Sequence, residues 1–231
     1  MDRKKIGNEY IFFNEHDTTD FYKRVKEKDY SVMKTFKDDF RSLVQLVRIN
    51  GKRYILKIPK EKNSRKWQRF LSIFRGGEST RECKNLENII LNGFNAPKPY
   101  TSIEERRYGM VFNSMSIIEY VECRAASNKE LDIVCNTLKE IHSKGFLHGD
   151  SQMTNFLISD NNKVYLIDSK FMKNKYGKFG EMYEFIYLEE SCLIDLKDYI
   201  DKKSFYYKTA KLLNSYLHWW GDFRKKFKNK G

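Results

Sequence analysis

Proline is scarce, three in 231 residues, so the chain has too little loop-forming composition for a disordered or collagen-like protein. Long apolar runs are missing as well. The longest are pieces such as Phe70 to Phe74, far short of the roughly 18 to 20 residues of a membrane-spanning helix. No apolar stretch or small-residue cleavage site follows Met1-Asp2-Arg3-Lys4-Lys5, which excludes a secretory signal there and points to the cytoplasm. The four cysteines, 83, 123, 135 and 192, form no CxxC pair and have no histidine at zinc-ligand spacing. That argues against a zinc site or disulfide framework and for small buried thiols in a reducing compartment. Bulky side chains are plentiful, with 17 Phe and 15 Tyr. They suffice for the core of one domain or of two small lobes.

Charge is unevenly placed. The net charge is +13, yet residues 57 to 75 carry +6 and residues 202 to 231 carry +8, leaving −1 for the other 182 residues. The body is near neutral and bears two basic patches.

From Leu43 to Ile49 and from Lys52 to Ile58 run two β-rich segments joined by Asn50-Gly51, a pair that tolerates the positive φ of a type I′ turn. A hairpin is predicted. Residues 79 to 92 place Leu86 and Ile89-Ile90 at helical spacing behind a cap at Ser79-Thr80, with Gly93 as the stop. Ser116 to Val121 reads as a buried strand. Asn128 to Lys144 reads as an amphipathic helix with Leu131, Cys135, Leu138 and Ile141 on one face and Gly145 as its end. A second hairpin runs through Phe156-Leu157-Ile158 and Val164 to Ile167 around Asp160-Asn161-Asn162. Helical patterns fill most of the remainder, including Phe205 to Trp220. The plan is α+β, sheet first and helices after.

Three side chains carry the chemistry. Asp150 follows a strand-like segment, Asn155 comes five residues later, and Asp168 ends the second hairpin. About 12 residues folded around a short turn return to their start, so Asn155 and Asp168 come back to one end. An Asp and an Asn are hard-oxygen ligands suited to Mg²⁺, and a further carboxylate beside them suits accepting a hydroxyl proton. His142 and His148 are read as structural, packing or hydrogen-bonding near this loop.

The run His148-Gly149-Asp150, then Asn155, then Asp168 resembles the catalytic-loop and metal-loop pair of the protein-kinase-like fold. The resemblance implies a small β-rich N-lobe over 1–118, with a basic amphipathic insertion at 60–78, and a minimal helical C-lobe over 119–231. It implies ATP and Mg²⁺: Asp150 handles the acceptor hydroxyl, Asn155 and Asp168 hold the metal, and Lys57 meets the phosphates. Glu82 is its choice of carboxylate partner for Lys57, with Glu78 and Glu87 as alternatives. Glu119 and Val121 fall where main-chain groups bond adenine. Three departures stand out. Thr35 to Phe40 replaces a glycine-rich phosphate cover, Ser169-Lys170 follows Asp168, and Gln152 stands where protein Ser/Thr kinases carry a lysine. They point away from protein substrates.

In the insertion, helical spacing would align Trp67, Phe70, Leu71 and Phe74, flanked by Arg65, Lys66, Arg69 and Arg75; residues 219–230 repeat that chemistry. Such stretches suit an anionic membrane interface. No nucleic-acid recognition module accompanies the charge, so nucleic acid is not an expected partner. Over essentially the whole chain the sequence resembles the bacterial lipopolysaccharide core heptose(II) kinases, including HGDSQMTNFLISDNNKVYLIDSKF. That resemblance implies phosphorylation of the second heptose of the inner-core glycolipid, by an enzyme peripheral on the cytoplasmic face of the inner membrane. An atypical RIO-like protein kinase and an inactive kinase-like membrane scaffold are the alternatives.

Overall fold

The computed structural model describes residues 1–13 and 19–228, with backbone alone at 19, 20, 62, 63 and 225–228. Residues 229–230 of the expected membrane surface lie outside the described residues. The chain divides into two compact units, Met1–Glu122 and Cys123–Gly231.

The first unit is built on one antiparallel sheet. Its strands are β1 (Asp2–Ile6), β2 (Glu9–Phe13), β3 (Ser31–Asp38), β4 (Leu43–Ile49), β5 (Lys52–Ile58), β6 (Pro99–Arg107) and β7 (Met110–Glu119), in the order β1-β2-β6-β7-β5-β4-β3. The β4–β5 turn has φ of +49° at Asn50 and +75° at Gly51. Positive φ at both central residues is the I′ geometry that matches strand twist. This hairpin sets Val44 opposite Lys57, and the β5–β7 ladder sets Ser116 opposite it on the other side. Lys57 therefore stands on an interior strand, flanked on both edges. Val47, Ile49, Tyr54, Leu56, Ile103 and Ile117 form the core under the sheet, joined by Val25 of helix α1 (Thr19–Glu27). The expected strand at 116–121 is the last part of β7, which starts at Met110 and ends at Glu119.

Helices α2 (Lys60–Ser64), α3 (Lys66–Arg75) and α4 (Glu78–Leu91) follow β5. The insertion is two helices rather than one, because Arg65 is extended, with ψ of 117°. Helix α4 starts at Gly77, not at a Ser79-Thr80 cap. Both hydroxyls are buried against the sheet and are spent there, Ser79 on Ser114 at 3.1 Å and Thr80 on Ser102 at 2.8 Å. Glu104 supplies the cap instead. Its carboxylate is fully buried and accepts from the Gly77 amide at 2.7 Å and from Arg106 at 2.6 Å. A carboxylate at a helix N-terminus satisfies an orphan donor and meets the positive end of the dipole. Cys83, Leu86 and Ile89 complete the buried stripe of α4.

In the second unit a 3-10 turn, Asn128–Glu130, leads into α5 (Leu131–Ser143), so the predicted helix is regular only from Leu131. Ser127 and Glu130 form a reciprocal capping box at its start. Helix α5 buries Val134, Cys135, Leu138 and Ile141, and Gly145 ends it with φ of +78°. Strands β8 (Cys123–Ala125), β10 (Phe156–Ser159) and β11 (Val164–Leu166) make one small sheet; β9 (Phe146–Leu147) and β12 (Met172–Lys173) make another. Helices α6 (Lys178–Cys192) and α7 (Phe205–Lys228) pack on each other. Among the described residues no helix is long and apolar enough to cross a membrane.

Candidate active site

In the first unit, Lys57 Nζ meets Glu82 Oε1 at 2.5 Å, both side chains about four-fifths buried. The pair forms because β5 is held on both edges while α4 presents Glu82 one residue before its buried Cys83. Of the other candidate carboxylates, Glu78 meets Arg81 at 3.2 Å. The turn after β3 begins at Asp39, whose carboxylate accepts from the Arg41 and Ser42 amides, each at 2.8 Å. Those bonds hold its pKa below the usual range. Amides that a glycine-rich loop would offer to phosphate are thus already taken. Glu119 ends β7: its amide donates to the Lys98 carbonyl at 2.8 Å and its carboxylate accepts the Lys98 amide at 3.0 Å. Val121, half-buried, lies two residues past the end of β7.

In the second unit the structure brings Asp150, Asn155 and Asp168 together. Asn155 Nδ2 donates to the Asp150 carbonyl at 2.8 Å, and the Asn155 carbonyl accepts the Ile167 amide at 3.0 Å. The β10–β11 pairing of Phe156 with Leu166 fixes that return. Asp168 has φ of +49°, a left-handed conformation that Asp and Asn tolerate better than most residues. Asp150 has its pKa raised by burial, with Lys170 pulling it down and Asp168 pushing it up. A carboxylate moved toward neutrality in this way is a better match to a general base at working pH. One Asp and one Asn are too few for an all-protein metal cage. They fit Mg²⁺, which keeps waters and binds through one or two side chains plus substrate phosphates.

What holds this loop is Glu184 on α6, buried at 5% exposure. Its carboxylate accepts from His142 Nε2 at 2.8 Å, the His148 amide at 3.0 Å and the Gly149 amide at 2.5 Å, while its own carbonyl accepts Ser151 Oγ at 2.7 Å. It thereby fixes the backbone on both sides of Asp150. The sequence reading missed it. The available signal was the placing of Glu184 four residues from Gly180 and four from Leu188, both of them buried on α6.

Residues 1–190 match the family described as lipopolysaccharide core biosynthesis protein (WaaY). The chain belongs to the WaaY family. Among solved structures, WaaP in complex with acyl carrier protein is similar at a TM-score of 0.55, with 12% identity over 94% of this chain and 98% of that one. The PknI kinase domain of Mycobacterium tuberculosis gives a TM-score of 0.46, with 13% identity over 72% of this chain and 76% of that one. The fold of this WaaY-family chain is α+β, with a sheet-rich first unit and a mainly helical second unit, and it is similar to that of WaaP. The WaaY match ends inside α6, so it includes Glu184 and leaves α7 outside.

His142, in the last turn of α5, and His148, in the loop of this WaaY-family chain, are both buried. The His148 ring lies tilted against Phe156 with centroids 4.8 Å apart, and its Nδ1 lies 3.4 Å from the Asp150 amide. Its Nε2 has no hydrogen-bond partner among the described residues. Burial lowers its pKa from 6.5 to about 4. The imidazole is therefore neutral when folded, whereas the unfolded chain takes up a proton near pH 6.5. Stability from this group is full above about pH 6.5 and is lost as pH falls toward 4, on the order of 3 kcal/mol in all. Urea titrations at pH 7 and 4.5 should show a larger acid-side loss for wild type than for His148→Gln. Equal losses would contradict this.

Proposed function

We propose that the chain transfers the γ-phosphoryl group of ATP to a hydroxyl of the second heptose of the lipopolysaccharide inner core, at the cytoplasmic face of the inner membrane. The observation that carries this reading is the meeting of Asp150, Asn155 and Asp168 in a chain of the lipopolysaccharide core family. Asp150 orients the acceptor hydroxyl and takes its proton. Lys57, steadied by Glu82, grips the α and β phosphates, and the Glu119–Val121 segment bonds adenine through its main chain. Asn155 and Asp168 would hold Mg²⁺, which when bound neutralises charge on the phosphate oxygens.

The basic aromatic surfaces support a membrane-bound acceptor. On α3 Trp67 and Phe74 are 66% and 79% exposed, and Trp67, Phe70 and Phe74 contact one another in series. Ser72, on the same helix, is buried and accepts the Val111 amide at 2.7 Å, which seats α3 on the sheet with these rings outward. On α7 Trp219, Trp220 and Phe223 cluster and are exposed. Rings of this kind seat at the headgroup level while flanking cations meet anionic lipid, each worth about 1 kcal/mol.

The test is transfer of labelled phosphate from ATP to lipopolysaccharide extracted from cells lacking this gene, presented in vesicles of phosphatidylglycerol and phosphatidylethanolamine. Label should enter the glycolipid, and the Trp67→Ser, Phe74→Ser double variant should need roughly tenfold more vesicle lipid for the same rate. Label entering protein instead of glycolipid would favour the RIO-like alternative. ATP binding with no transfer would favour the inactive scaffold.

A further inference from the structure

The acid set of the second unit poses an electrostatic problem. Asp150 and Asp168 are both carboxylates, and the group to be moved spreads negative charge over three equatorial oxygens in its transition state. Under the reading above Lys57 is engaged with the α and β phosphates, and the γ-phosphoryl calls for a cation of its own. The place where a lysine follows the catalytic aspartate by two residues is occupied by uncharged Gln152.

Lys170 is held against the loop that carries Asp150. The amides of Lys170 and Phe171 donate to the His148 carbonyl at 2.9 and 3.2 Å, and Ser169 Oγ donates to the same oxygen at 2.7 Å. Positive φ at Asp168 and Phe171, +49° and +30°, bends the chain into this staple. The Lys170 side chain then starts out directly over Gly149, the residue before Asp150. A Cβ on Gly149 would sit 2.8 Å from Lys170 Cβ and 3.4 Å from its Cγ, so only glycine, here at φ of +83°, allows the approach. Lys170 is exposed. Its charge is the main influence opposing the burial effect on Asp150.

We propose that Lys170 is a catalytic residue whose ammonium contacts the γ-phosphoryl oxygens during transfer, replacing from the Asp168 loop the cation absent at Gln152. The inference rests on the phosphoryl-transfer reading above. In the step it serves, the bond between Pγ and the bridging oxygen of ADP breaks, the acceptor oxygen bonds to Pγ, and the acceptor proton passes to Asp150. ADP leaves with the bridging oxygen's electron pair, and Lys170 keeps its own protons throughout.

The experiment compares full-length wild type, Lys170→Met and Lys170→Arg with MgATP and lipopolysaccharide extracted from cells lacking this gene. Lys170→Met should lower kcat by about 10²- to 10³-fold with the KM for ATP changed less than about threefold, and Lys170→Arg should stay within about tenfold of wild type. Because the side chain is exposed, melting temperatures of all three should agree. A Lys170→Met kcat within twofold of wild type, or an effect confined to the acceptor KM, would overturn the role of Lys170 while leaving the transfer reading intact. Absence of transfer by wild type would overturn both.

Discussion

Asp150→Asn and Asp168→Asn are each expected to cut phosphoryl transfer by about 10³-fold with the fold retained. The two losses have different causes. Asparagine at 150 keeps the shape of the side chain but cannot accept the hydroxyl proton, so the acceptor oxygen must attack while still protonated. Asparagine at 168 keeps an oxygen but removes the negative charge that would hold the divalent ion. Asparagine is the better substitution at 168 because the residue sits at φ of +49°, where alanine would add strain of its own. Retention of the fold follows from position: Asp168 is exposed and Asp150 is only half-buried. The pH profile separates the two further. Wild-type kcat/KM should fall on the acid side as pH drops through the raised pKa of Asp150, and Asp150→Asn should lose that limb from its residual activity. Steady-state kinetics with MgATP, alongside thermal melts, measures both. Wild-type rates in either variant would remove that residue from the mechanism.

Glu184→Ala should be the most destabilising single change. It deletes the acceptor of three buried donors, His142 Nε2 and the amides of His148 and Gly149. Each stranded donor costs about 1 to 3 kcal/mol, so a total loss of roughly 3 to 5 kcal/mol is expected after relaxation. Glu184→Gln keeps one oxygen acceptor but turns an amide group toward a donor, and should fall between Ala and wild type. Activity should decline in the same order even where the protein is still folded, because the loop that aims Asp150 loses its anchor. Urea unfolding at pH 7, with kinetics below the transition, gives both quantities. A Glu184→Ala protein within 1 kcal/mol of wild type would show that the loop is held by something else.

Local chemistry made part of this legible from sequence. Asn50-Gly51 dictates its turn by positive φ alone, and the stripe of α5 repeats apolar residues at helical spacing until Gly145. The meeting of Asn155 with Asp168 needed only a short hairpin of ordinary length. Features that depend on distant partners were not legible. Glu104 stands in Glu104-Glu105-Arg106-Arg107, which reads as a solvated charge run, yet it is fully buried because the Gly77 amide and Arg106 converge on it. Ser79 and Thr80 look like a helix cap and instead face the sheet. Strand β1, Asp2–Ile6, is exposed throughout and shows no apolar alternation, so only its pairing with β2 defines it. Glu184 belongs to the same class: its role lies in three donors contributed from 35 or more residues upstream in the chain.

Asp150, Asn155 and Asp168 are expected together to place one phosphate on the lipopolysaccharide core. Mass spectrometry of core oligosaccharide from cells carrying Asp150→Asn at the native locus, beside wild type and the gene deletion, tests it most directly. The variant and the deletion should lack the same single phosphate that wild type carries. A full complement of phosphate in the Asp150→Asn cells would show that this site does not carry the transfer.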